Sequence, residues 1–127
     1  MDSASNCFNL PDPDEMKCTV WAYKVSFGVL RIKIEPASDA DNAMWLTFDG
    51  AVYFEGPTQW QGANFRLGTP QEHLELRYLL GHHRYASDQQ LLENAKLFIV
   101  PSKAEWLTST TLNIKILARD GGISPSA

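Results

Sequence analysis

The chain has 127 residues, 44% of them hydrophobic, with 15 acidic and 11 basic side chains and a formal net charge of −4. That length suits one domain, and such a domain buries roughly two-thirds of the surface its unfolded chain exposes, which excludes dependence on a disulfide framework or a structural metal. The acidity is local: Asp2, Asp12, Asp14 and Glu15 stand in residues 1–16 without a Lys or Arg, and the rest is balanced at 11 acidic against 11 basic, so it lacks the basic stripe that nucleic acid needs for counterion release.

Residues 1–16 are polar and carry Pro11-Asp12-Pro13-Asp14. Proline restricts itself and its predecessor, so this stretch reads as an acidic, flexible leader. A single α+β domain is expected over 17–119. Cys18 to Phe27 reads as a strand with Trp21, Tyr23, Val25 and Phe27 on one face and Cys18, Val20, Ala22 and Lys24 on the other. After Gly28, residues 29–35 alternate Leu30, Ile32 and Ile34 against Arg31, Lys33 and Glu35, the period of a half-buried strand. Residues 36–42 have loop composition and contain Asp39 and Asp41.

Two short runs, 44–48 and 51–55, flank Asp49-Gly50. This dipeptide suits a type I′ turn, which needs positive φ at both central residues, and predicts a β-hairpin. After an irregular connection over 58–69, Thr69-Pro70-Gln71-Glu72 combines an N-cap, a proline at the first helical position and a capping box. It predicts a helix to about Leu80, stopped by Gly81, with Leu76, Leu79 and Leu80 as its buried stripe and Leu74 at the margin. Ser87-Asp88-Gln89-Gln90 predicts a second, short helix through Asn94. Leu97-Phe98-Ile99-Val100 and 112–117 read as strands, 104–111 as a hydroxyl-rich link around Trp106, and 120–127 as a loose tail. The expected fold class is therefore α+β: an antiparallel sheet of about six or seven short strands, with one or two helices inserted after the Asp-Gly hairpin. A β-barrel or sandwich with the helix at one end is the alternative.

Recognised catalytic signatures are absent. The sequence has no Gly-x-Ser-x-Gly, Ser-x-x-Lys, Walker or Gly-x-Gly-x-x-Gly pattern. His73, His82 and His83 do not have zinc-ligand spacing, and the Asp-x-Asp pairs lack the remaining elements of a calcium loop. Neither metal nor cofactor is expected. Only Cys7 and Cys18 are present, which suits reduced thiols in a cytosolic protein better than a secreted scaffold. The N-terminus has neither the basic start nor the apolar core of a signal peptide, and the longest apolar runs fall far short of a bilayer. The expectation is a cytoplasmic protein that binds neither membrane nor nucleic acid.

The candidate binding residues are Trp60, Asn64, Phe65 and Arg66. They lie in a connection that also holds Gln59 and Gln61, between the expected hairpin and the capped helix. Trp and Arg are preferred interface anchors, and loops on rigid scaffolds often carry function. The competing expectation is that Trp60 and Phe65 turn inward and plug the sheet. The expected function is a non-enzymatic interaction module, an adaptor or an immunity-type inhibitor, bound to a protein partner or a second copy of itself. The alternatives are a small-ligand-binding domain or an enzyme with a dispersed site around 59–66, or one subunit of an obligate assembly.

Overall fold

The computed structural model describes residues 7, 8, 10, 12–24, 28–36, 43–103 and 111–124. The expectations for Val25, Phe27, Asp39, Asp41 and Trp106 fall outside the described residues. Among the described residues, nine strands run in chain order as β1 (Met16–Lys24), β2 (Val29–Pro36), β3 (Met44–Asp49), β4 (Tyr53–Glu55), β5 (Gln59–Gln61), β6 (Arg66–Leu67), β7 (Lys96–Lys103), β8 (Thr111–Ala118) and β9 (Asp120–Ser124). Two helices, α1 (Pro70–Leu79) and α2 (Asp88–Asn94), stand between β6 and β7. The fold is α+β with an antiparallel sheet, as expected. No helix among the described residues is long and apolar enough to cross a membrane.

The strand order β4-β8-β7-β5-β1-β2-β3-β9, with β6 on β7, is one sheet that returns on itself. β3 and β4 are successive parts of one stretch of chain, as are β8 and β9. Asp49 pairs Asp120 on one side of the join, and Tyr53 pairs Leu117 on the other. Between them, three residues (50–52) face two (118–119), a bulge that bends the sheet. The ring closes where β5 pairs β1 over three residues and touches β7 through Gln61 and Lys103.

Asp49-Gly50 therefore does not close a hairpin. Gly50 has the positive φ, 64°, that the dipeptide promises, yet β3 pairs with β2 and β9, and β4 with β8. Ala51 N–H donates to Gly28 O and Val52 N–H to Leu117 O. Non-local partners claim the backbone groups that a hairpin would use. Residues 120–124, expected as a tail, are also a strand, because the outward turn at Arg119 carries them onto β3.

The barrel interior is a single apolar cluster. Cys18, Ile32, Ile34, Leu46, Phe48 and Val100 are among its most buried members. The leader adds to it: Leu10 and Met16 are buried, and Phe8 packs against Phe48, Phe65 and Phe98 at 5.4–5.9 Å. Cys7 N–H donates to Phe65 O, and Ala63 N–H to Pro13 O. Apolar side chains spaced among the acids thus hold the described part of this segment, residues 7, 8, 10 and 12–16, against the barrel. Gly121 lets the interior close, since a Cβ there would meet Phe48 at 2.8 Å and Phe98 at 3.3 Å. Gly121→Ala is expected to cost about 1–3 kcal/mol by overpacking, read as a lower midpoint in urea unfolding.

A second cluster lies outside the barrel, where Leu97, Ile99 and Leu117 meet Leu76 of α1 and Ala95. Leu97–Val100 is apolar throughout because its alternate residues serve two cores. α1 and α2 keep the predicted N-termini, with both reciprocal bonds of each capping box formed. The buried row of α1 is corrected. It is His73, Leu76 and Arg77 with Leu80 partly buried, whereas Leu79 is 81% exposed. These positions have the i, i+3, i+4, i+7 spacing of one helical face, but two of them are polar and hide the stripe.

Candidate functional site

The structure does not bring the expected residues of the connection 59–66 together on one exposed surface. Trp60 is 3% exposed, stands on β5, and donates from Nε1 to Gly62 O at 2.8 Å. Phe65 is fully buried in the aromatic cluster. Asn64 is half-buried between them and the surface, and Arg66 is exposed. The Arg66 guanidinium makes a two-pronged pair with Glu72, with both N–O distances at 2.9 Å. Glu72 also accepts from Thr69 N–H. Together these hold its carboxyl well down, at about 2, with the Arg66 bond as the largest cause. Arg66 thus serves the start of α1. Of the four expected binding residues, Trp60 and Phe65 belong to the core, Arg66 to the helix cap, and Asn64 is half-buried, because a tryptophan on a short strand beside β1 gains more from burial than from solvent.

The exposed aromatic surface lies elsewhere. On β1, the pairing slips between Val20↔Ile32 and Ala22↔Arg31 and leaves Trp21 without an opposite residue. The bulge reverses the alternation, so Cys18, Val20 and Tyr23 face the interior side while Trp21 points out. This separates Trp21 from Tyr23, which simple period-2 reading places together. Trp21 is 54% exposed and meets Trp45 of β3 edge-on at 5.1 Å. Lys33 of β2 lies over both rings, at 4.9 and 5.8 Å from their centroids, a cation–π arrangement. Arg31 shares this outer face, because Leu30, Ile32 and Ile34 alternate inward. Asp49 at its far end is paired with Arg119 at 2.6 Å. The sequence signal for this site is slight: two Trp and a Lys that come together only through strand register.

Two further features are candidates. The first is an apolar cleft of about 380 Å³ between the ends of β1 and β2 and the segment leading into β4. The second is a buried polar cluster under α1. Arg77 is 6% exposed and without a carboxylate partner among the described residues. Its Nε donates to His82 Nδ1 at 2.7 Å, and its Nη1 donates to Leu91 O at 3.0 Å. Nη1 also meets His73 Nε2 at 3.2 Å, and Nη2 donates to Asn94 Oδ1 at 3.3 Å. Arginine only donates, so both imidazoles accept and are neutral. Desolvation, then the charge of Arg77, pushes His73 and His82 below the usual imidazole value. This cluster ties α1, the turn at His82–Arg84 and α2 together, which is a structural role.

Cys18 is buried, with its thiol pushed up to about 12 by desolvation, and is unsuited to nucleophilic chemistry. Both cysteines are free. Among the described residues, no three His, Cys, Asp or Glu side chains converge as metal ligands would. Comparison with protein-family models, with curated proteins and with solved structures finds no match to this chain.

Proposed function

We propose that this chain is a cytoplasmic, non-enzymatic interaction module that binds a protein partner through the outer face of β1, β2 and β3. The observation that carries the reading is Trp21, turned outward by a β-bulge and braced by Trp45 and Lys33. Bulges re-aim side chains, and a braced tryptophan offers a large contact area with little left to order on binding. Tryptophan and arginine dominate interface energetics, and here Arg31, paired with Ala22 and Thr47, shares the face of the two rings. Lys33 is 3.8 Å from Glu35 on the same face, which leaves Arg31, among the described residues, as the unneutralised cation at the aromatic centre, so the complementary partner surface is apolar with an acidic group opposite Arg31. The half-buried aliphatic stems of the cations widen the apolar patch.

The test begins with native mass spectrometry of the protein gently isolated from its source cells, followed by reconstitution from purified components. A defined complex with another polypeptide is expected. Trp21→Ala should weaken it by about 2 kcal/mol or more, as a central anchor does, while leaving the unfolding midpoint within the small range typical of surface changes. Tyr85→Ala, at an exposed tyrosine beyond α1, should leave the complex intact. Equal affinity of wild type and Trp21→Ala would overturn the reading, as would an added mass that is only a second copy of the chain.

A further inference from the structure

We infer that the cleft between β1, β2 and the segment leading into β4 is a binding site for a small, uncharged, ring-bearing molecule of roughly ten non-hydrogen atoms. It is separate from the outer aromatic face and does not depend on the interaction reading. Val20, Leu30, Ala51 and Phe54 form its floor, and Tyr23, Val52 and Tyr53 its rim. The volume, about 380 Å³, lies in the range of small-molecule pockets.

The cleft follows from the fold. The bulge at Trp21 turns Tyr23 inward at the end of β1. The three-against-two join at residues 50–52 sends the chain outward and leaves only the methyl of Ala51 where a longer side chain would fill the gap. The wall is already satisfied: Ala51 N–H is bound to Gly28 O at 2.6 Å, and Val52 N–H to Leu117 O at 2.9 Å. The cleft therefore offers apolar contact rather than an open strand edge.

Two properties select the ligand. Among the described residues, no charged side chain lines the cleft, so a carboxylate or ammonium entering it would lose hydration without compensation from them. One phenol serves the cleft. The Tyr53 ring packs on the second cluster outside the barrel and its Oη donates to Glu55 at 2.7 Å, while Tyr23 Oη reaches Ala51 O at only 3.4 Å, the outer edge of hydrogen bonding. The Tyr23 hydroxyl is thus available to bond one ligand hydroxyl or carbonyl at the rim, and the ring of the ligand lies on the apolar floor, where Phe54 offers an aromatic surface.

Methyl NMR titration of the full chain tests the assignment, with p-cresol, toluene and 4-methylbenzoate as probes. p-Cresol is expected to shift the Val20, Leu30 and Val52 methyl resonances saturably. Toluene should bind about 2–10-fold more weakly for want of one hydrogen bond, and 4-methylbenzoate should cause no shift over the same range. Tyr23→Phe should bring p-cresol down to the toluene affinity. Val52→Trp fills the mouth at a position that is 62% exposed and should weaken p-cresol by about tenfold or more, the effect of losing most of its apolar contact. Trp21→Ala should bind p-cresol as wild type does, which keeps this site distinct from the partner face. The assignment fails if p-cresol leaves these methyls unmoved, if 4-methylbenzoate binds equally well, or if both Tyr23→Phe and Val52→Trp bind p-cresol like wild type.

Discussion

Trp60→Ala is expected to destabilise the protein by about 3–5 kcal/mol, the usual cost of deleting a buried aromatic side chain. The ring is 3% exposed, packs against Phe54 at 6.2 Å, and its indole N–H holds the carbonyl of Gly62. It also sits on β5, the narrow strand that closes the barrel between β1 and β7. Removing it leaves a cavity, a Gly62 carbonyl held only by the weak Cys18 thiol donor at 3.4 Å, and a weakened seam. Arg66→Ala, six residues away, should cost no more than about 1 kcal/mol, because its pair with Glu72 is exposed and screened by solvent. Urea unfolding of both variants checks the contrast. Similar small changes for both would mean that Trp60 is not part of the core. A large loss for Trp60→Ala alone would place it there and remove the connection 59–66 from consideration as a binding loop.

Acidification from pH 7.5 to 5 should loosen the helical layer before the barrel. His73 and His82 both have depressed folded-state values, so the unfolded chain takes up protons first. Their contribution is fully present above the ordinary imidazole value of 6.5. It is lost as pH falls through that value and on through the folded-state values, with a slope of at most about 1.4 kcal/mol per pH unit for each histidine. The physical reason is that a protonated imidazole presents an N–H to a guanidinium that can only donate. Glu72 acts in a lower window, between its ordinary 4.5 and about 2, so the two effects separate. In the double variant His73→Gln, His82→Asn, side-chain carbonyls replace the accepting Nε2 and Nδ1, and the pH slope between 7 and 5 should flatten. An unchanged slope would show that other groups set it. Arg77→Met keeps the apolar stem but strands four acceptors, and should cost about 2–4 kcal/mol at pH 7.5, read by denaturant unfolding.

Local chemistry was legible wherever a few adjacent residues decide the outcome. Thr69-Pro70-Gln71-Glu72 and Ser87-Asp88-Gln89-Gln90 determined two helix starts, because a capping box satisfies orphan N–H groups within one turn. The alternation of Leu30, Ile32 and Ile34 determined β2, and the α+β class with an antiparallel sheet followed from the order of such segments. Other features needed partners distant in sequence. Gly50 supplied the positive φ of a turn, but whether β3 turned back on β4 depended on β8 and β9, some seventy residues on. The phase of β1 depended on a bulge at Trp21, which one extra residue against β2 creates and no local pattern announces. The buried face of α1 depended on Arg77 finding His73, His82, Asn94 and Leu91 as acceptors, without which burying that charge would be prohibitive. The sequence by itself determined the two helix caps, the alternation of β2 and the fold class, since these rest on near neighbours. Only the tertiary structure decided which tryptophan faces solvent, because the closure of the barrel turned Trp60 in and the bulge turned Trp21 out.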